Sequence, residues 1–213
     1  MLSAIRALMY VAAVVAAGLV AGPAARADDL APDLLVRNVT LEVVDIVSRD
    51  KDIQSGNQQR VVALVEQKVL PHFNFASMTR LAVATNWAKA TPEQKKQLTE
   101  EFKTLLVRTY SSALSSYRDQ KFDFRPLRAK PTDTDVTVLV RIAQKSAEPV
   151  SFEYDMEKTP AGWKVYDLRV GGVSLVGNYR TEFANEVRAN GIDGLVKALA
   201  GKNKDLTLRA EKK

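Results

Sequence analysis

At Asp119 the apolar period of this chain changes, and that change restricts the folds open to it more than any other feature. Before it, Leu98, Phe102, Leu105, Leu106, Tyr110, Ala113, Leu114 and Tyr117 recur at steps of three and four, the spacing that gathers side chains on one face of a helix. After it, Val136, Val138, Val140 and Ile142, then Val150, Phe152, Tyr154 and Met156, recur at steps of two, the pleat of half-buried strands. Helices first, then an antiparallel meander, then helix again is an α+β plan.

Within that plan the elements can be bounded. Apolar positions from Leu34 to Ile46 favour a helix over Ala31 to Val47, and a second runs from about Gln58 to Leu70, where Pro71 closes it. "NFASMTRLAVATNWAKA" reads as a shorter helical segment. Thr91-Pro92-Glu93-Gln94 is a capping-box signature with proline at the first helical position, and it starts a helix expected to reach about Arg118. Strand character follows over Lys121 to Pro126, Asp135 to Gln144, Val150 to Glu157 and Trp163 to Val170. The last two are joined by "KTPAG" and should form a hairpin. Gly171-Gly172 reads as a tight turn rather than a hinge, and a helix is expected from about Leu175 to Asn190, with Gly191 and Gly194 punctuating the tail.

The N-terminus has Arg6, an apolar run from Ala7 to Val20, a break at Gly22-Pro23 and the triplet Ala25-Arg26-Ala27. That is the layout of a secretory signal peptide cut after Ala27. The run is short for a membrane span of about 20 residues. Cleavage leaves 186 of the 213 residues and lowers the formal net charge from +6 to +4. The chain has no cysteine, so lipidation at the cut, disulfides and thiolate chemistry are excluded. The mature product is expected to be one exported, soluble domain over 28–213. Its helical part spans about 30–118, its sheet about 121–170 and its C-terminal helices about 175–200.

Catalytic groups are sparse. His72 is the sole histidine, which rules out a histidine-rich metal site, and its place after a helix stop suits a capping or surface role. There is no nucleophile elbow, dinucleotide fingerprint or phosphate loop; "GIDGLVKALAGKNK" has the wrong spacing and no strand before it. Asp133 with Asp135, and Glu153 with Asp155, lie two apart on strands and so share a face. Glu153 and Asp155 are out of phase with Phe152 and Tyr154, which puts them on a solvated face rather than in a dry pocket. Export and the lack of a basic stripe argue against nucleic acid. What remains is apolar surface on the sheet and long helix, which forms either an ordinary core or, opposite the small residues around Ser111 to Ser116, a gap for an apolar anion.

Four blocks, "VLPHFNFASMTRLAV", "ATPEQKKQLTEEFKTLLVRTYSSALSSY", "WKVYDLRVGGVSLVGNYRTEF" and "GIDGLVKAL", resemble the MlaC or toluene-tolerance family in the same order and spacing across nearly all of the mature chain. The resemblance implies a twisted antiparallel sheet of the NTF2-like kind, wrapped by helices around an apolar lipid cavity. It also implies a periplasmic shuttle for a diacyl glycerophospholipid in the pathway maintaining outer-membrane asymmetry. Its docking stations would be an outer-membrane lipoprotein-porin complex and an inner-membrane ABC transporter with its lipid-binding periplasmic subunit. No enzymatic activity, cofactor or metal is implied. Family members often carry an acid just before the Gly-Val-Ser turn, where this chain has Gly171.

On that footing, the lipid-lining candidates on the helices are Phe75, Met78, Leu81, Phe102, Leu105, Leu106, Tyr110, Leu114 and Tyr117. The sheet offers Phe152, Tyr154, Tyr166 and Leu168, and the segment after it Val173, Leu175 and Tyr179. Each has an alternative as ordinary core. A different class of function also stays open: a small-molecule enzyme of the same fold using a buried carboxylate or tyrosine.

Overall fold

In a computed structural model, which describes residues 30–116, 120–144 and 147–211, the helical and sheet halves follow one another along the chain. The leader peptide expected at 1–27 and the candidate Tyr117 lie outside the described residues. No described helix is long and apolar enough to cross a membrane.

The helices are α1 (Pro32–Arg49), α2 (Lys51–Gln54), α3 (Gln58–Lys68), α4 (Phe75–Val83), α5 (Pro92–Tyr110) and α6 (Arg180–Glu211). Both halves of the capping box are made at the start of α5: Gln94 N–H donates to Thr91 Oγ1 at 3.2 Å and Thr91 N–H to Gln94 Oε1 at 3.0 Å. The helix stops being α-helical earlier than its period implies. After 19 residues, about 28 Å, it tightens into a 3-10 segment over Ser111–Ser116. Serine hydroxyls compete for backbone partners, which weakens the α-helix where four of six residues are serine.

α6 is two arms broken at Gly191, whose φ of 72° and ψ of −176° are not helical. The break lets Phe183 on the first arm and Leu195 and Leu199 on the second all bury in the same cluster against α5.

Five antiparallel strands form one sheet in the order of the chain: β1 (Lys121–Phe124), β2 (Asp135–Gln144), β3 (Ala147–Thr159), β4 (Gly162–Val170) and β5 (Val173–Ser174). β5 and the short α2 are additions to the elements legible in the sequence. Gly171 and Gly172 form the two-residue turn between β4 and β5, with φ of 58° and 81°, and Val170 pairs with Val173 across it. Positive φ at both central residues is the demand of a tight hairpin turn, and it explains the double glycine without a hinge.

Register sorts the sheet into two faces. Val136, Val138, Val140 and Ile142 pair with Met156, Tyr154, Phe152 and Val150 on the inner face. Asp135, Thr137 and Leu139 pair with Glu157, Asp155 and Glu153 on the outer face. α1 lies on the inner face through Val36 and Leu35, and α4 is fastened to β4. That fastening is a short parallel bridge, Phe73 with Val165, in which Asn74 N–H donates to the Val165 carbonyl at 2.8 Å. The Asn74 side chain also donates to Glu157 Oε1 at 2.8 Å.

Among the described residues, one non-glycine position has a strained backbone. Ala84, which ends α4, has φ 53° and ψ −129°, a region that alanine rarely adopts. Ala84→Gly should therefore raise stability by about 1 kcal/mol, with a melting temperature about 2–4 °C higher by calorimetry. A lower melting temperature would show that the native backbone holds no strain there.

Candidate apolar binding site

The interior divides into three apolar clusters, and the candidate residues fall among them unevenly. Met78, Phe102, Leu105 and Leu106 are buried in the helical cluster of α4, α5 and α6, with Phe75, Leu81, Leu175 and Tyr179 packed around it. Phe102 is wholly enclosed, edge-on to Tyr179 at 5.0 Å and Phe183 at 5.2 Å between ring centroids. Phe152 and Tyr154 flank the sheet cluster, whose buried members are Val36, Val136, Val138, Val140, Met156 and Val165. Leu114 packs on a third cluster, built from α1, α2 and α3.

Two links join the helical cluster to the sheet. Phe73 belongs to both and stacks on Phe75 at 5.9 Å. Leu168, paired with Tyr154 on the inner face, accepts through its carbonyl from Leu175 N–H at 2.8 Å. Between these links α5 rests on α4, α6 and α3, with no comparable packing against the sheet. The inner face toward Phe152, Leu168 and Val170 therefore stays half-buried, apolar and uncovered by the long helix.

Three candidates stand elsewhere. Tyr166 is on the outer face, where its hydroxyl donates to Asp135 Oδ1 at 3.0 Å. The cause is a bulge opposite Asp155: the register moves from Asp155 with Asp167 to Met156 with Val165, so Tyr166 is the extra residue. Val173, at 55% exposure, sits beside the β4–β5 turn, and Tyr110, at 43%, ends α5 facing outward. Tyr110 hydrogen-bonds Tyr179, whose phenol is held above its ordinary range chiefly by burial and next by that bond.

Polar groups in this interior are few. Tyr154 hydrogen-bonds Thr40 on α1, and burial pushes its phenol up to about 12 against the opposing effect of that bond. On the outer face, in register with Asp155, Asp167, which periodicity did not single out, is a buried carboxylate that accepts from Ser174 Oγ at 2.5 Å and Val176 N–H at 3.2 Å. Ser174 Oγ in turn accepts from Gly177 N–H at 2.7 Å, so this acid organises the turn into α6. The signal for it was present: Trp163 and Val165 are out of phase with Leu168 and Val170, which requires a bulge between them.

The paired acids of β3 lie on the outer face. Arg169 bridges Glu153 at 3.0 Å and Asp155 at 2.9 Å, and Thr137 Oγ1 donates to Asp155 at 2.6 Å. Burial raises the pKa of Asp155, opposed by Thr137 and Arg169. His72 is half-buried in the 3-10 turn Leu70–His72, its pKa lowered first by burial and then by Lys164. Among the described residues no cluster of three or more acidic or histidine side chains is placed to hold a metal.

Known proteins are similar to this chain in sequence and in fold. The toluene tolerance protein ttg2D of Pseudomonas putida is 23% identical over 163 residues, 76% of this chain and 75% of that protein. The intermembrane phospholipid transport system binding protein MlaC of Haemophilus influenzae is 23% identical over 152 residues, 70% of each chain. Among solved structures, the phospholipid-binding protein of Ralstonia solanacearum, in complex with a phospholipid, superposes with a TM-score of 0.76. It is 38% identical and covers 82% of this chain and 98% of its own. The MlaC protein family model matches residues 37–201, and the chain belongs to that family.

Proposed function

We propose that this chain is a periplasmic phospholipid carrier, formed as one lipid-binding unit after its leader is cut at Ala27, which shuttles glycerophospholipid between the outer and inner membranes. The observation that carries the reading is the likeness to the phospholipid-bound Ralstonia solanacearum protein over nearly all of that chain. The inner sheet face that α5 leaves uncovered supports it physically. Acyl chains would enter between Phe152, Leu168 and Val170 on one side and Phe75, Leu81, Leu114 and Leu175 on the other. The phosphate would stay at the mouth, because burying it unpaired costs several kcal/mol or more. Selection should then act on tail volume more than on headgroup.

A carrier must match the shelter of a bilayer approximately. At about 0.8 kcal/mol per methylene, two tails with roughly 30 methylenes represent on the order of 24 kcal/mol of exposure to avoid. A lipoprotein-porin complex at the outer membrane and an ABC transporter with its lipid-binding periplasmic subunit at the inner membrane would be its stations.

Native mass spectrometry of the mature protein, purified from periplasm without detergent, tests binding. A mass increment equal to a diacyl phospholipid is expected, with matching lipid in the organic extract. Folded protein that carries none and takes none from liposomes would end the carrier reading. Movement of labelled phospholipid between donor and acceptor liposomes, dependent on added protein, tests the shuttle.

A further inference from the structure

The apolar faces of the sheet and of α5 both reach solvent on either side of one short segment. On the sheet, Val173 pairs with Val170 and so lies on the inner face, yet it is exposed. On α5, Leu98, Phe102 and Leu105 form a buried stripe, and Thr109, the next position along it, is exposed. Leu175 to Tyr179 joins the two edges. Leu175 N–H donates to the Leu168 carbonyl on β4, and the Tyr179 hydroxyl bonds Tyr110, beside Thr109. The apolar interior therefore opens at this end.

Two polar side chains at the opening carry donors that no described residue takes up. The bond between the two phenols raises the pKa of Tyr179, so Tyr179 is its donor, because donating stabilises the protonated form. The Tyr110 oxygen accepts, and its own O–H, on an exposed side chain, is left to donate elsewhere. Arg180 follows Tyr179 in the chain. Its Nε–H donates to the Leu81 carbonyl in the last turn of α4 at 2.9 Å. That bond holds the plane of the guanidinium beside Leu81 and leaves the four N–H groups of its two Nη atoms without a partner among the described residues.

Neighbouring charges do not claim this arginine. Glu182, two residues on, is ion-paired with Lys202, and Glu186 accepts from Asn190. Arg80 and Arg108 are exposed as well, but no hydrogen bond or ion pair among the described residues holds either of them in place. Arg180 is thus a cation fixed by the main chain, next to a leucine assigned to the tail wall.

Building on the carrier reading above, we propose that Arg180 and the Tyr110 hydroxyl seat the phosphate of the bound phospholipid at this opening. The acyl chains pass inward beside Leu81 and Leu175, and the phosphate stays in the solvated rim, where it escapes unpaired burial. A guanidinium already held at Nε gives parallel N–H donors to phosphate oxygens with little side-chain freedom left to lose. Every glycerophospholipid carries this phosphate. The seat therefore distinguishes phospholipid from neutral diacylglycerol without choosing among headgroups, in keeping with selection by tail volume.

Delipidated mature protein, incubated with vesicles of dioleoylphosphatidylglycerol containing dioleoylglycerol, tests the seat, with the two lipids resolved by native mass spectrometry. The tails are identical, so the ratio of bound phospholipid to bound diacylglycerol reports the phosphate alone. Arg180→Gln should lower that ratio about tenfold, the loss of a charge-assisted pair, and Tyr110→Phe about threefold. Total lipid occupancy should stay near wild type, because diacylglycerol takes the place of phospholipid. Tyr110→Phe removes one exposed oxygen, so it decides the matter even where Arg180→Gln loosens the end of α4. A ratio unchanged in either folded variant, or equal loss of both lipids, would overturn the seat while leaving the carrier reading in place. Wild-type protein that takes up neither lipid would end both.

Discussion

Replacing Leu168 by glutamate should strip phospholipid from the purified protein while its circular dichroism stays that of the wild type. Leu168 faces inward beside Tyr154 but is only partly buried, and its main chain ties the sheet to Leu175. A carboxylate at that position would face the acyl chains, and desolvating it costs several kcal/mol. The loss falls on the complex rather than on the fold, because the unliganded protein can leave the new charge in water. Affinity for the lipid should drop about tenfold for each 1.4 kcal/mol lost, and occupancy with it. Leu168→Met, which keeps volume and polarity, should load normally. Full occupancy in Leu168→Glu, measured by native mass spectrometry, would remove the inner sheet face from the binding site. The same change at Met156 is not informative, since that side chain is enclosed by protein and a charge there would unfold the chain.

Much of this fold is legible from period alone, and the exceptions have local causes. Apolar steps of three and four place α1, α3 and α5 because each buries one face, and alternation places β2 and β3 because their outer faces meet solvent. The end of α5 is not legible that way, since Leu114 and the small residues beside it keep the apolar phase while the backbone has already tightened. Tyr166 is the sharper case. Strict alternation groups it with Leu168, but one bulged residue turns it to the other face and brings Asp167 under the β4–β5 turn. The site is less legible than the fold, because periodicity identifies apolar faces without saying whether protein or ligand covers them. Tyr179 illustrates this: its ring fills the helical core against Phe102, while its hydroxyl reaches Tyr110 near the surface.

That ambiguity is sharpest at Phe102, and truncation resolves it. Phe102 is fully enclosed, contacts the rings of Tyr179 and Phe183, and sits where α5 meets both arms of α6. Phe102→Ala removes its transfer free energy and leaves a cavity, about 3–5 kcal/mol, with the lost edge-to-face contacts adding of order 1 kcal/mol. Against a total stability of about 5–15 kcal/mol this is a severe change, and the melting temperature should fall by roughly 10 °C or more. Phe102→Leu, which refills most of the volume, should recover over half of the loss. A residue that lines the lipid behaves differently: truncation enlarges the pocket, and the bound phospholipid shifts toward longer tails with little change in stability of the empty protein. The acyl-chain distribution extracted from Phe102→Leu should match wild type, because protein rather than lipid surrounds this ring. A shift in that distribution with stability intact would move Phe102 from the core to the pocket wall, and would place the tails between α5 and α6 rather than between α5 and the sheet.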